Sequence, residues 1–425
     1  MASTIASEDA RYRQSSQYEL WSFSPSQLAS MREKTNAAAR ARITERLLSM
    51  PNPSNTASAP TSSANTPDPD GVSTPTLPEF LTPAEELLLV TFYTAELLRA
   101  GDHADMSDEI KATAATFFKR FYITNSIMTY PPQEMLLVAL FFGCKAEGAF
   151  PSISDFAKTF GRERPEEILA GEFLLCQGIR FALDVKHPFR ALRGAIMELS
   201  TLPDVEPARL VAAEQRAREI LRFSPLITDA YFHFTPSQIM LAALSLADRG
   251  LAERLIQDTF HYVAPQPSSG TDTPATSGVE TPSGASASIS LHKRTASPSS
   301  GSLEDKAAVI GSHVRDKVLG TIEACRDMLS KELPERREHW NNKTVYKAQI
   351  QPIRKKLNKC RDPDRWNLVE LQRIRREQAS RKGFDSDDEG EGRTKGGSLE
   401  DDAAVFGVPK KKKQLEDPFG PPLAG

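Results

Sequence analysis

Eight apolar residues follow one another from Met135 to Phe142, a run that no one-sided surface helix carries. The pattern predicts a helix buried on every side, opened by Pro131 and Pro132 and ending where Gly143 and Gly148 interrupt the apolar character. It falls well short of the roughly 18 to 20 apolar residues of a bilayer span, so no membrane partner is expected. Lys145 stands at its end.

Elsewhere the apolar positions recur at spacings of three and four. Ser24, Pro25 and Gln27 form a capping box. It leads a helix over 24–49 with Leu28, Met31, Thr35, Ala39, Ile43 and Leu47 on one face and Arg32, Lys34, Arg40 and Arg42 on the other. Trp21 and Phe23, just before it, need a surface to cover, and with Leu28 and Met31 they form the expected packing face of this N-terminal element. The rest of 1–23 is polar and reads as flexible. Thr82, Pro83 and Glu85 make a second capping box before a helix through Leu87 to Leu98, ended by Gly101 and Asp102. Ser107 caps the next, with Ile110, Ala114, Phe117, Phe118, Phe121 and Tyr122 as its apolar face. After the buried helix, a short one fits Ser154 to Phe160. Pro165 opens a last one, with face Ile168, Leu169, Leu175 and Ile179. Phe117, Phe118, Phe121 and Phe141 are assigned to the core. No strand alternation appears, so the fold class is all-α, a five-helix unit.

That unit occurs twice. ITNSIMTYPP at 123–132 aligns without gaps on ITDAYFHFTP at 227–236, an offset of 104 residues from Pro132 to Pro236. Thr235, Pro236 and Gln238 repeat the capping box, and Leu137, Ala139 and Leu140 meet Leu241, Ala243 and Leu244. The sequence therefore predicts tandem five-helix repeats over 80–183 and 184–333.

Composition marks what lies between. Residues 51–79 hold seven prolines and ten serines or threonines, too little apolar area to offset ordering entropy, so 50–79 is expected to be a disordered linker. Residues 264–302, with 16 serines or threonines in 39 positions, read as a disordered insertion in the second repeat. Thr66, Thr74, Thr273, Thr281 and Ser297 are candidate phosphorylation sites in these segments. From 334 to 382 the chain is basic with a sparse apolar stripe, Val345, Ile350, Ile353, Leu357, Trp366, Leu368, Leu371 and Ile374, which predicts one or two long helices packing back on the repeats or on a partner. Arg336, Arg337, Lys355, Lys356, Arg375 and Arg376 are its candidates for phosphate contact, weighed against a solvated helix face. The tail, 383–425, turns acidic around Ser386, a further candidate phosphorylation site. It then carries Lys410, Lys411, Lys412 and Lys413 after Pro409, which read as a nuclear localisation signal.

Over all 425 residues the net charge is −3, so no global field draws the chain to nucleic acid. Cys144, Cys176, Cys325 and Cys360 form no CxxC pair, which argues against a structural metal site and a disulfide framework. The N-terminus lacks a charged start followed by an apolar core, so no secretory signal is expected. There is no HExxH, no phosphate-binding glycine loop and no GxSxG, and the seven histidines are scattered. No catalytic residue, cofactor or small-molecule substrate is assigned.

FFKRFYITNS, TYPPQEMLLVALFFGCKAE, EFLLCQGIRFALDVKHPFRAL and ITDAYFHFTPSQIMLAAL together resemble the cyclins of the cyclin H type and their fungal counterparts. The segment SSQYELWSFSPSQLASMREKTN is similar to the leader helix of that subfamily. The resemblance implies a protein without an active site that binds and activates a cyclin-dependent kinase, with Lys145 and Glu172, and Glu147 beside them, as the kinase-binding residues. It further implies a RING-finger assembly factor and the core of transcription factor IIH as partners, RNA polymerase II as the downstream target, and the nucleus as location. The sequence departs from the pattern in having Gly148 after Glu147. It lacks the MRAIL docking motif of cell-cycle cyclins, and Lys119 stands where those carry an aspartate. The alternatives are another transcription cyclin, or a nucleic-acid-binding protein with the same repeat, as in transcription factor IIB. The latter carries a zinc ribbon for which this chain has no cysteine pair.

Overall fold

The computed structural model describes residues 8–49, 77–259 and 303–384, and every regular element among them is helical. The expected linker is outside the described residues up to position 76. So are the insertion 264–302, the tail from 385, and with them Thr66, Thr74, Thr273, Thr281, Ser297, Ser386 and Lys410 to Lys413.

The first repeat comprises α4 (Pro83–His103), α5 (Asp108–Thr124), α6 (Pro132–Ala146), α7 (Ile153–Thr159) and α8 (Pro165–Gly178). The Thr82 and Glu85 side chains each bond the other's backbone N–H, and Ser107 accepts from Ile110 N–H to start α5. Met135, Val138, Ala139 and Leu140 of α6 are fully buried, so the unbroken apolar run lies at the centre of the repeat. Phe117, Phe118 and Phe121 of α5 and Phe141 of α6 are in the same core. Helix α4 runs past Gly101 and Asp102, where the sequence predicts a stop. The missing side chain of Gly101 makes room for the Lys111 stem, whose Cγ lies 2.6 Å from where a Cβ would stand, and the turn comes only at Asp105. On α8 the expected face holds for Ile168 and Leu175, but Leu169 points out and Leu174 is buried instead.

The second repeat runs through α9 (Pro188–Leu199), α10 (Pro207–Leu221), the single turns α11 (Ser224–Ile227) and α12 (Ala230–His233), α13 (Pro236–Ala247), α14 (Arg249–Thr259) and α15 (Leu303–Ser330). Pro236 opens α13 as Pro132 opens α6, and the Thr235–Gln238 capping box is formed. Ile322, Cys325 and Leu329 of α15 seal its core.

Residues 8–21, read from composition as flexible, instead form α1 (Glu8–Arg13) and α2 (Ser16–Trp21). Their polar side chains find partners remote in sequence: Gln17 is buried and its Oε1 accepts from Lys186 N–H at 2.6 Å, in the connection between the repeats. Trp21 is fully buried, with the Arg120 guanidinium 5.3 Å and the Arg180 guanidinium 5.5 Å from its ring centre. Phe23 N–H donates to Phe232 O, and His233 Nδ1 donates to Phe23 O. The leader helix α3 (Pro25–Ser49) buries Leu28, Ala39 and Ile43, with Met31 packed at the core's edge.

At the junction of the repeats, Lys119 of α5 is buried and donates to Leu226 O and Thr228 O of the second repeat. Its Nζ lies 3.7 Å from Asp229, which also takes a two-pronged bond from Arg32 of α3 at 2.7 and 2.8 Å. Burial drives Lys119 down to about 8 against the pull of Asp229. Burial alone would raise Asp229; the Arg32 hydrogen bonds and the two cations outweigh it and hold the carboxyl at about 2.

The basic region forms several pieces rather than one or two long helices. These are a 3-10 turn at Pro334–Arg336, α16 (Arg337–Asn341), α17 (Lys343–Val345), a π turn at Tyr346–Ile350, α18 (Gln351–Cys360) and α19 (Leu368–Phe384). Residues 343–360 stay helical throughout, the π turn coming just before Pro352, which has no N–H to continue the α ladder; the breaks fall at Asn342 and at 361–367, where Pro363 lies. The first pieces bridge to the second repeat, with Glu335 paired to Arg216 of α10 and Arg337 over the Phe223 ring, and the later ones lie on the first repeat. Ile350, Leu357 and Leu368 are buried, Asp362 N–H donates to Met128 O, and Arg42 of α3 pairs with Asp362. Ile374 faces out. Of the bases proposed for phosphate contact, Lys356 pairs with Glu79 and Glu85, Arg336 with Glu332 and Arg337 with Asp102, while Arg375 bonds Gln177. Lys355 is exposed.

Candidate functional site

The end of α6 is fixed twice over. Gly148 adopts a left-handed φ of +77° that favours glycine, letting Ala149 N–H reach back to Cys144 O at 2.8 Å. The departure from an acidic residue at 148 thus has a local cause: the chain turns sharply there. Lys145, one turn from that stop, lies with Nζ 4.4 Å from the centre of the Phe141 ring and 2.6 Å from Glu172 Oε1 on α8. The two side chains keep 34% and 21% of their surface exposed, so the pair sits at the molecular surface and not in the interior.

Two glycines bring these helices together. A Cβ on Gly171 would stand 2.5 Å from Val138 Cγ2, and one on Gly143 would stand 3.0 Å from the Ala114 Cβ. α6 therefore approaches α8 more closely than a Cβ at 171 permits without a shift, and α5 closely enough that one at 143 would be tight, and Glu172, next to Gly171, comes within reach of Lys145.

Glu147 does not join the pair. Its carboxylate accepts from the Thr113 hydroxyl on α5, and Thr113 Oγ1 is 2.7 Å from His187 Nε2. His187, at the start of α9, meets the Tyr231 hydroxyl through Nδ1 at 2.9 Å. Burial pushes the His187 imidazole down to about 3, with Arg120 adding to the effect and Asp184 opposing it, so it is neutral at physiological pH.

Sequence periodicity missed the apolar surroundings of the pair. Leu169, Phe173 and Cys176 share the side of α8 that carries Glu172, and Phe173 and Phe181 are 59% and 60% exposed with ring centres 6.4 Å apart. Arg180 and Phe181 both have left-handed φ, 56° and 54°, uncommon outside glycine. The stacking of Arg180 on Trp21 holds that turn, and Phe181 projects from it. The signal available in the sequence was an aromatic directly after a charged residue predicted to be functional, Glu172–Phe173. Among the described residues no cluster of His, Cys, Asp or Glu is fit to hold a metal, and no helix is long and apolar enough to cross a membrane.

The family described as Cyclin C-terminal domain matches residues 187–330. Cyclin CCL1 of Saccharomyces cerevisiae is 32% identical over 256 residues, 60% of this chain and 62% of that protein, so the match spans just under two thirds of its length. Cyclin mcs2 of Schizosaccharomyces pombe is 32% identical over 235 residues, 55% of this chain and 68% of that protein. Among solved structures, a chain of the CAK complex from Chaetomium thermophilum bound to ATP-γ-S is 81% identical. The match covers 91% of this chain and 100% of that one with a TM-score of 0.71. With its doubled helical repeat, its leader helix and a surface Lys–Glu pair between α6 and α8, the chain belongs to the cyclin family, in the branch of cyclin H, Ccl1 and Mcs2.

Proposed function

We propose that the chain is the regulatory subunit of a CDK-activating kinase of the transcription factor IIH type. It binds a cyclin-dependent kinase and switches it on, promoting phosphorylation of the RNA polymerase II C-terminal repeats and of other cyclin-dependent kinases. The similar solved chain comes from a CAK complex, which supports this partner. A RING-finger assembly factor and the core of transcription factor IIH complete the proposed set, in the nucleus.

The observation that carries the reading is the Lys145–Glu172 pair, mounted on two helices locked by Gly143 and Gly171 and bordered by Leu169, Phe173 and Phe181. An ion pair that water reaches at both ends is worth little to the isolated chain, so opening it toward a partner costs little. The ammonium then donates to carbonyl groups at one end of a partner helix while the carboxylate accepts from N–H groups nearby, and the exposed aromatics are covered. Pressed this way, the kinase's own C helix brings its glutamate to the lysine of its third strand. The cyclin adds rigidity and no catalytic group. The chain should stimulate phosphorylation of a polymerase-tail peptide by the kinase, and the Lys145→Ala, Glu172→Ala double variant should not. Equal stimulation by both would remove this surface as the site.

A further inference from the structure

Resting on that reading and extending it, we propose that Tyr231, His187 and Thr113 form a one-way hydrogen-bond relay that ties the second repeat to Glu147. In so doing it sets the end of α6 that presents Lys145. His187 is then a positioning residue for kinase binding, supplied by the repeat that does not carry the pair.

The direction of the relay follows from the donors present. A carboxylate only accepts, so the single Thr113 hydroxyl proton goes to Glu147. Thr113 Oγ1 must then be the acceptor toward His187, which puts the imidazole proton on Nε2. Nδ1 is left as an acceptor, and the Tyr231 hydroxyl donates to it. Tyr231, His187 and Thr113 each donate one hydrogen bond onward and Glu147 only accepts; with a carboxylate at that end and a neutral ring, no other arrangement satisfies all three contacts. Bonds aligned head to tail reinforce one another, and a hydrogen bond ending on a charged group is among the stronger ones.

The placement gives the relay its consequence. Thr113 is buried on α5, His187 begins α9 and Tyr231 lies in α12, so three elements from both repeats converge on one side chain. That side chain belongs to Glu147, whose N–H caps α6 by bonding Gly143 O and Lys145 O. Shifting Glu147 shifts the last turn of α6, and Lys145 is in that turn. Phe189 packs beside the imidazole with ring centres 6.0 Å apart, and Arg120 and Asp184 are the other charged groups near it. Glu147 Oε1 itself lies 3.9 Å from His187 Nε2, beyond hydrogen-bond reach, so Thr113 is the group that bridges the two.

The test uses the full chain and the cyclin-dependent kinase of the Chaetomium thermophilum CAK complex. Thr113→Val keeps the shape of the side chain and removes the relay. It should weaken kinase binding about tenfold, while Thr113→Ser restores affinity to within about twofold. Binding is measured well below the unfolding midpoint of each variant, so that a role in stability alone would leave the dissociation constant of the folded protein unmoved. Lys145→Ala, Glu172→Ala is run alongside. If Thr113→Val binds as the wild type does while the double variant loses binding, the relay is overturned and the interface stands. If the double variant also binds as the wild type does, the interface reading falls and takes the relay with it. Independently, long-range proton–nitrogen correlation spectra should show His187 at pH 7 protonated on Nε2 alone, its signals assigned by their loss in His187→Gln. A proton on Nδ1, or on both nitrogens, refutes the relay whatever the binding result.

Discussion

Asp229→Asn probes the junction that holds the two repeats and the leader helix in one arrangement. In the wild type Asp229 faces Arg32 and Lys119, and its carboxyl is held at about 2 where its ordinary value is 3.8. A depression of just under two pH units, at 1.36 kcal/mol each, makes the carboxylate worth about 2.5 kcal/mol to the fold at neutral pH. Asparagine keeps the size and loses the charge, leaving buried Lys119 with carbonyl partners only, so about 3 kcal/mol is the fuller expectation. For a folded unit of roughly 300 residues, with an unfolding entropy of about 2 cal/mol/K per residue, that is a fall of roughly 5 °C in Tm. The sign with pH is fixed. The folded pKa is lowered, so the contribution is fully present above 3.8 and is lost as pH falls through about 2. Thermal melts followed by circular dichroism at pH 5 and 3 should show a gap between wild type and variant that narrows at the lower pH, where Asp229 itself titrates. Between pH 7 and 5 the gap should widen, because Lys119, already lowered to about 8, loses the pull of Asp229 in the variant. A Tm within 2 °C of wild type at pH 7, or a gap that widens between pH 5 and 3, overturns this assignment.

Two further substitutions test the packing that presents the site. Gly171→Ala places a Cβ 2.5 Å from a Val138 methyl that β-branching keeps from swinging away. Urea unfolding should show a loss of about 1 to 3 kcal/mol, largely restored by adding Val138→Ala; no loss means the close approach of α6 and α8 is not constrained there. Trp21→Ala empties the space between Arg120 and Arg180 and should cost about 3 to 5 kcal/mol by the same measurement, against under 1 if α2 were a loose appendage.

Helix starts were legible because their causes are local. Ser24 with Gln27, Thr82 with Glu85 and Thr235 with Gln238 need only four consecutive residues, and all three reciprocal caps are formed. The doubling was legible because α6 and α13 reuse one pattern at one offset. What stayed hidden depends on residues far away in the chain. Leu169 and Leu174 are equally apolar, and the approach of α6 at Gly171 decides which is buried. Lys119 looks like an exposed base until the second repeat supplies the carbonyls of Leu226 and Thr228, and α2 looks unstructured until Lys186 meets Gln17. The identities of Lys145 and Glu172 came from resemblance. Their pairing at 2.6 Å follows from glycine spacing, which periodicity does not weigh. The relay through His187 lay beyond both.

The function proposed for this chain depends on a rigid Lys145–Glu172 surface gripping the kinase. Its most direct test is the dissociation constant of the kinase for wild-type chain and for the Lys145→Ala, Glu172→Ala double variant, measured by calorimetry at matched salt. Removing a charge contact buried in the complex costs about 2 to 5 kcal/mol, so binding should be at least roughly thirtyfold weaker. Equal dissociation constants for the two proteins would contradict it.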